Sequence, residues 1–160
     1  MKKLLFIIAM QIAVFNFAFG QSSNVWNVSE TLTGDELVKS IIEPFEGTVV
    51  VLDVWGTWCG PCKKAMETIK PLKEEMKGKD VSFVYIACPN SQKAQWEDMR
   101  QGIDGEHYYV TTAQWNYILK TYGGGGVPLY VVFDKEGKKV AAYTGYPGNE
   151  KMKETIVSNL

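Results

Sequence analysis

The sequence predicts an α/β domain built in three layers, with a mixed central β-sheet flanked by helices. Three observations lead there. Residues 48–55 (TVVVLDVW) form a nearly unbroken β-branched run. Such a run fits a strand buried on both faces, as in the middle of a parallel sheet. Cys62, Ala65, Met66, Ile69, Leu72 and Met76 then recur at the three- and four-residue steps that line one face of a helix. Residues 81–88 (VSFVYIAC) supply a second strand, closed by Pro89 and Asn90.

The remaining elements follow in chain order. Residues 21–24 read as a polar spacer. Thr33 and Glu36 have capping-box spacing, with Thr33 as N-cap. Leu37, Val38, Ile41 and Ile42 continue at helical spacing until Pro44 stops the pattern. Lys63, Lys64, Lys70 and Lys73 are placed off the apolar face of the long helix, and Pro71 is expected to bend it. A helix spans roughly residues 91–101 and carries Trp96 and Met99. Residues 107–110 read as a short strand and 112–122 as a helix running into four glycines. Residues 127–133 and 138–143 form a hairpin about the turn 134–137. Asn149 is expected to cap a last helix ending near Ser158.

Composition narrows the function. The chain has 160 residues, 46% apolar and 22% charged, with net charge −1. These values suit one globular domain and exclude disordered or collagen-like chains. The near-zero charge gives no general pull toward nucleic acid or an anionic membrane, so no nucleic-acid partner is expected. Three cysteines are too few for a disulfide-stapled scaffold.

Residues 1–20 are mostly apolar behind the positive head of Lys2 and Lys3. They end in the small-x-small tripeptide Ala18-Phe19-Gly20, the layout of a cleaved signal peptide. The rival is an uncleaved membrane anchor. Residues 4–19 contain Gln11 and Asn16, and are short for a span of about 20 apolar residues. Residues 1–20 are therefore assigned to a signal peptide and 21–160 to the folded domain. Removing Lys2 and Lys3 takes the charge from −1 to −3. The mature domain then works outside the cytoplasm, in the periplasm or otherwise exported, where disulfides persist. No cysteine just follows the apolar run to carry a lipid.

The chemistry concentrates in Trp58-Cys59-Gly60-Pro61-Cys62, where the buried strand hands over to the long helix. Free N–H groups and the positive dipole end of a helix stabilise a thiolate at Cys59. Cys62 lies one turn on, on the same face, so its sulfur can reach that of Cys59. Gly60 allows close approach of backbone or partner. Pro61 has no N–H to leave unpaired in the first turn.

Residues 55–62 (WGTWCGPC) resemble the active-site segment of the thioredoxin superfamily. The leader, the extra helix and strand between Ser91 and Val110, and Gly126-Val127-Pro128 make residues 25–160 similar to the exported TlpA/ResA-like branch. The resemblance implies a thioredoxin-like fold, with an active-site disulfide Cys59–Cys62 facing a cis-proline loop at Val127 and Pro128. It implies dithiol–disulfide exchange, with Cys59 as attacking thiolate and Cys62 as resolving thiol. Asp53, six positions before Cys59, matches a buried carboxylate thought to take the proton of the second cysteine. Desolvation there should raise its pKa toward neutrality. Trp58, Gly60, Pro61, Val127 and Pro128 become the substrate-binding set. The Gly60-Pro61 pair resembles reducing members more than oxidising ones, so a protein-disulfide reductase is expected. Its substrates would be protein thiols and disulfides, and its electron donor an unidentified protein. It would be a monomer, with no metal and no cofactor beyond the Cys59–Cys62 disulfide.

Other readings stand beside this one. The fold could serve as a binding module with a structural disulfide, or as a disulfide isomerase. Asp53 could be a buried acid bonded to backbone. Trp55 could shield the disulfide or simply pack. Cys88 could be an extra redox partner or a small buried apolar residue. A metal site from Cys59, Cys62, Cys88 and His107 is conceivable by ligand type alone. One departure from the branch is Glu67, which stands eight positions after Cys59 where a kink-forming proline is frequent; Pro71 follows one turn later.

Overall fold

The computed structural model describes residues 23–160. The signal-peptide assignment lies outside the described residues. The elements run β1 (Ser23–Trp26), α1 (Gly34–Ile42), a 3-10 turn (Glu43–Phe45), β2 (Val49–Val54), α2 (Gly60–Met76), β3 (Val81–Ala87), α3 (Lys93–Arg100), β4 (Gly105–Tyr109), α4 (Thr112–Tyr122), β5 (Leu129–Phe133), β6 (Lys139–Thr144) and α5 (Asn149–Val157). The strands form one sheet in the order β1-β4-β3-β2-β5-β6. β1, β4, β3 and β2 are parallel to one another, and β5 and β6 join by antiparallel pairing. The mixed sheet predicted from sequence is present, with the β-branched run at its centre and buried along its whole length.

Strand alternation sorts the core into two faces. Val50, Leu52 and Val54 of β2 pack with Leu37 and Ile41 of α1 and with Ile118 and Leu119 of α4. Val49 and Val51 point the other way, onto Ala65, Ile69 and Leu72 of α2 and Met152 and Ile156 of α5. At about 1.5–3 kcal/mol per buried aliphatic side chain, these faces are the main hold on the helices. On the second face, at the carboxyl ends of the parallel strands, a further cluster gathers Trp55, Cys59, Cys62, Met66, Tyr85, Ala87 and Trp96. The sheet therefore presents its reactive segment at one edge of one face.

Three local expectations are corrected. Ser23 and Asn24, read as the end of a polar spacer over residues 21–24, instead open an edge strand, Ser23–Trp26, which pairs with β4 from Ser23 opposite Gly105 to Trp26 opposite Tyr108. So short a segment, half of it polar, carries too little pattern to announce a strand whose partner lies far along the chain. Thr33 occupies the N-cap of α1 but its side chain makes no capping bond. The reciprocal capping box belongs to Thr111 and Gln114 at the start of α4. Gly148, at φ 90°, is the N-cap of α5, one position before the expected Asn149. That positive φ favours glycine. Asn149 instead donates from Nδ2 to the Thr68 carbonyl at 3.0 Å, tying α5 to α2. Helix α2 continues through Pro71 to Met76. Among the described residues, no helix is long and apolar enough to cross a membrane.

Candidate active site

The reactive segment is built by the turn that leaves β2. The Trp55 N–H donates to the Ile86 carbonyl at 3.0 Å, prolonging the β2–β3 ladder by one residue. The chain then turns, and the Cys59 N–H donates to the Gly56 carbonyl at 2.9 Å. Gly56 has no room for a side chain, because a Cβ there would lie 2.7 Å from the Trp58 indole. The loop is anchored from the segment that carries α3. The Thr57 N–H donates to Ser91 Oγ at 3.1 Å, and the Thr57 hydroxyl to Gln95 Oε1 at 2.8 Å.

Cys59 is the N-cap of α2, and its sulfur accepts the Cys62 N–H at 3.1 Å. A helix leaves its first N–H groups unpaired, and here one of them is aimed at the Cys59 sulfur. Pro61 stands in the first turn, where its missing N–H costs nothing. Cys59 and Cys62 are joined as a disulfide, with Cα atoms 5.3 Å apart. Both are buried, whereas Trp58 is 54% exposed. Gly60 and Pro61 are exposed too. A collar of accessible surface thus surrounds a sulfur pair closed off from below. The Val127–Pro128 peptide bond is cis, the geometry that the resemblance implied. Val127 packs against the cluster that holds both cysteines.

Asp53 sits on the same face of the sheet, at 3% exposure. Sheet register places Tyr85 opposite it on β3 and Tyr130 opposite it on β5. Among the described residues its Oδ1 has no hydrogen-bond partner. Burial pushes the Asp53 carboxyl up to about 7. The Tyr130 hydroxyl, which faces the carboxyl without reaching hydrogen-bond geometry, and the Lys73 ammonium pull the other way. Lys73 donates to the Tyr85 hydroxyl at 3.0 Å and to the Asp104 carbonyl. Burial lowers Lys73 to about 8, against the pull of Asp104 and Asp53. His107 stacks on Tyr85 with ring centroids 5.0 Å apart. Its Nε2 lies 2.9 Å from the Ile103 carbonyl, which can only accept, so Nε2 carries the proton. Burial lowers His107 to about 4.

The sequence pattern of a thioredoxin-like family matches residues 47–139, more than half of the chain. The chain belongs to the thioredoxin-like family. It is 29% identical over 118 residues to the thiol-disulfide oxidoreductase ResA of Bacillus thuringiensis, covering 74% of this chain and 67% of that one. Against ResA of Bacillus subtilis the identity is 26% over 146 residues, covering 89% and 80%. A thioredoxin family thiol:disulfide interchange protein from Chlorobium tepidum superposes with a TM-score of 0.63 at 20% identity, covering 74% and 83%.

Within this thioredoxin-like frame, the structure brings Cys59, Cys62 and Val127 into one cluster and sets Asp53 on the same sheet face. Trp55 is fully buried and Trp58 is open, which separates the two tryptophans into core and surface. Gly60 has open space around the place a side chain would take, so nothing within the chain demands glycine there. Cys88 is excluded from the site by strand alternation. It packs with Val84 and Ile86 in the cluster on the opposite face of the sheet. It is a free, buried thiol that donates to Asn90 Oδ1 at 3.1 Å, and burial raises its pKa. His107 is buried inside β4, as the strand reading of residues 107–110 expected, and lies on the face away from Cys88.

Tyr85, Tyr130 and Lys73 carry no motif that marks them as neighbours of Asp53. Lys73, expected off the apolar face of the long helix, is instead half-buried; it stands eleven positions after Cys62, about three turns at roughly 3.6 residues per turn. That returns it to the buried stripe rather than to the outer face with Lys63, Lys64 and Lys70.

Asp53 and His107 give opposed contributions to stability. The folded Asp53 holds a proton up to about pH 7, against 3.8 for the free acid. Its contribution therefore falls as pH rises through that window. The folded His107 refuses a proton down to about pH 4, against 6.5 when free. Its contribution therefore falls as pH drops through that window. Each slope is about 1.4 kcal/mol per pH unit, and between pH 4 and 6.5 they cancel. Relative to the parent, Asp53→Asn should lose stability on acidification across this range. His107→Gln should instead lose stability as pH rises. Denaturant titrations at several pH values check both, and parallel curves for all three proteins would refute the assignment.

Proposed function

We propose that this chain is an exported thiol-disulfide oxidoreductase that reduces protein disulfides through Cys59 and Cys62. The observation that carries the reading is the cysteine pair at the N-terminus of α2. Cys59 caps the helix, and the exposed Trp58, Gly60 and Pro61 surround it. The names of the ResA relatives support the same chemistry.

In the reduced protein, the Cys59 thiolate attacks one sulfur of a substrate disulfide. A mixed disulfide forms, and the other substrate sulfur leaves as a thiolate. Asp53, as carboxylate, takes the proton of the Cys62 thiol. The Cys62 thiolate attacks the Cys59 sulfur, closing the Cys59–Cys62 disulfide and expelling the second substrate thiolate. Two electrons pass from the cysteine pair to the substrate, and water protonates the released thiolates. A dithiol donor protein returns two electrons to the pair by the reverse exchange.

Trp58, Gly60 and Pro61, with the half-buried Val127, form the surface that receives the substrate chain, and the buried cis Pro128 completes the substrate-binding set beneath it. The disulfide itself is the redox group, with no other cofactor. Residues 1–20 act as a cleaved signal peptide that delivers a monomer to the periplasm or beyond the membrane.

Trapping tests this reading. The reduced Cys62→Ser protein attacks substrate but cannot resolve, so a disulfide-linked adduct through Cys59 should accumulate and dissolve on adding dithiothreitol. The parent protein should reduce insulin disulfides catalytically. No adduct, together with no insulin reduction by the parent, refutes a reductase and favours a binding module.

A further inference from the structure

The reactive segment has a second neighbour at its end of the sheet, the loop from β3 into α3. Thr57, two positions before Cys59, is held from there twice. Its N–H donates to Ser91 Oγ at 3.1 Å and its hydroxyl to Gln95 Oε1 at 2.8 Å. The next residue, Trp96, enters the cluster of Cys59 and Cys62 and packs on Tyr109 with ring centroids 4.9 Å apart. The Tyr109 hydroxyl in turn donates to the Ser91 carbonyl at 2.9 Å. Helix α3 is therefore fixed against the cysteine segment, and Gln95 is fixed with it.

Ser91 and Trp96 are buried, whereas Gln95 is exposed. A side-chain amide offers one acceptor oxygen and two N–H donors. The Thr57 hydroxyl engages the oxygen, and among the described residues the Nε2 hydrogens have no partner. An oriented amide thus stands at the rim with its donors free. Its surroundings are uncharged. The loops that leave β2, β3 and β4 (residues 55–59, 88–92 and 110–111), the loop into β5 (123–128) and the loop after β6 (145–148) contain no Asp, Glu, Lys or Arg.

We propose that Gln95 is a substrate contact, its Nε2 donating to a main-chain carbonyl of an extended polypeptide beside the disulfide under attack. This deepens the reductase reading and rests on it. Two trans peptides separate Thr57 from Cys59, so their Cα atoms are at most about 7.6 Å apart. The carbonyl that Gln95 meets therefore lies within a few residues of the substrate cysteine. Every residue of a polypeptide carries that acceptor, so the contact reads chain rather than sequence. Uncharged surroundings add no electrostatic choice among partners. The substrate class is the extended segment of an incompletely folded protein, whose carbonyls are not already paired in helix or sheet.

The test compares two disulfides, with dithiothreitol as electron source. One is the oxidised dimer of a short neutral cysteine peptide. The other is bis(2-hydroxyethyl) disulfide, which has no carbonyl. Gln95→Glu keeps an oxygen for the Thr57 hydroxyl and removes the N–H donors; Gln95→Leu removes both. In each variant the ratio of kcat/KM for the peptide to that for the small disulfide should fall about three- to tenfold, the size expected for one neutral hydrogen bond. The fall should come through the KM for the peptide. An unchanged ratio in both variants overturns the proposal. A ratio that falls only in Gln95→Leu also overturns it, because the residue then merely anchors the loop. A ratio that falls only in Gln95→Glu overturns it as an effect of the added charge. A parent that reduces neither disulfide overturns the reductase reading itself and the contact with it.

Discussion

The Cys59→Ser variant loses disulfide reduction by on the order of 10³-fold or more, as expected when a covalent nucleophile is removed. The cause is local. The sulfur at position 59 caps α2 and accepts the Cys62 N–H. That N–H and the helix dipole favour a thiolate, and a serine hydroxyl in the same place stays protonated and unreactive. Cys62→Ser behaves differently. It keeps the first attack and loses the second, so it reacts once with each substrate molecule and then stalls. Cys88→Ser should alter neither step, because Cys88 is buried on the opposite face of the sheet. Rapid-mixing kinetics with a model disulfide, followed by intact mass, separates the three outcomes. Adduct formation by Cys59→Ser would show that the attack comes from another sulfur.

The second large effect belongs to Asp53. Asp53→Asn keeps the size and burial of the side chain and removes the base of the proposed cycle. The resolving step should slow by roughly 10²- to 10⁴-fold, the range typical of a positioned proton acceptor. Formation of the mixed disulfide should be almost unchanged. The deficit should also depend on pH. Asp53 titrates near pH 7, because burial outweighs the opposing influence of Tyr130 and Lys73. Above that pH the parent has its base, and the variant recovers only as Cys62 ionises unaided, at about pH 8.5 for a free thiol. Single-turnover rates from near-neutral to alkaline pH read the difference. A ratio of parent to variant rates that is constant across that range would remove Asp53 from the proton path.

Much of this was legible in the residues. A β-branched run followed by a Cys-x-x-Cys at the start of an apolar-striped helix places the reactive sulfurs at a sheet edge. Asp53 is conspicuous as the one charge inside that run. What escaped was information that exists only between strands. Tyr85 and Tyr130 flank Asp53 because β3 and β5 both pair with β2, and no periodicity in a single strand reports its neighbours. β1 escaped for the same reason, since its identity as a strand comes from β4. Cys88 shows the converse. Its place at the end of the expected strand 81–88 suggested a redox partner near Cys59, but Cys88 just follows β3 and continues its alternation onto the other face. The end of a strand fixes the edge on which a residue lies, and parity fixes the face.

A Cys59–Cys62 pair that works in the reducing direction must have a potential to match. Its equilibrium reduction potential, measured against a dithiol buffer of known poise with the two thiol states separated by alkylation, tests this most directly. By analogy with reducing members that share the Gly60-Pro61 pair, the value should lie at about −270 mV. A potential above about −150 mV would make the protein an oxidant, and one far below about −300 mV would make the bond a structural staple; either would contradict the proposed function.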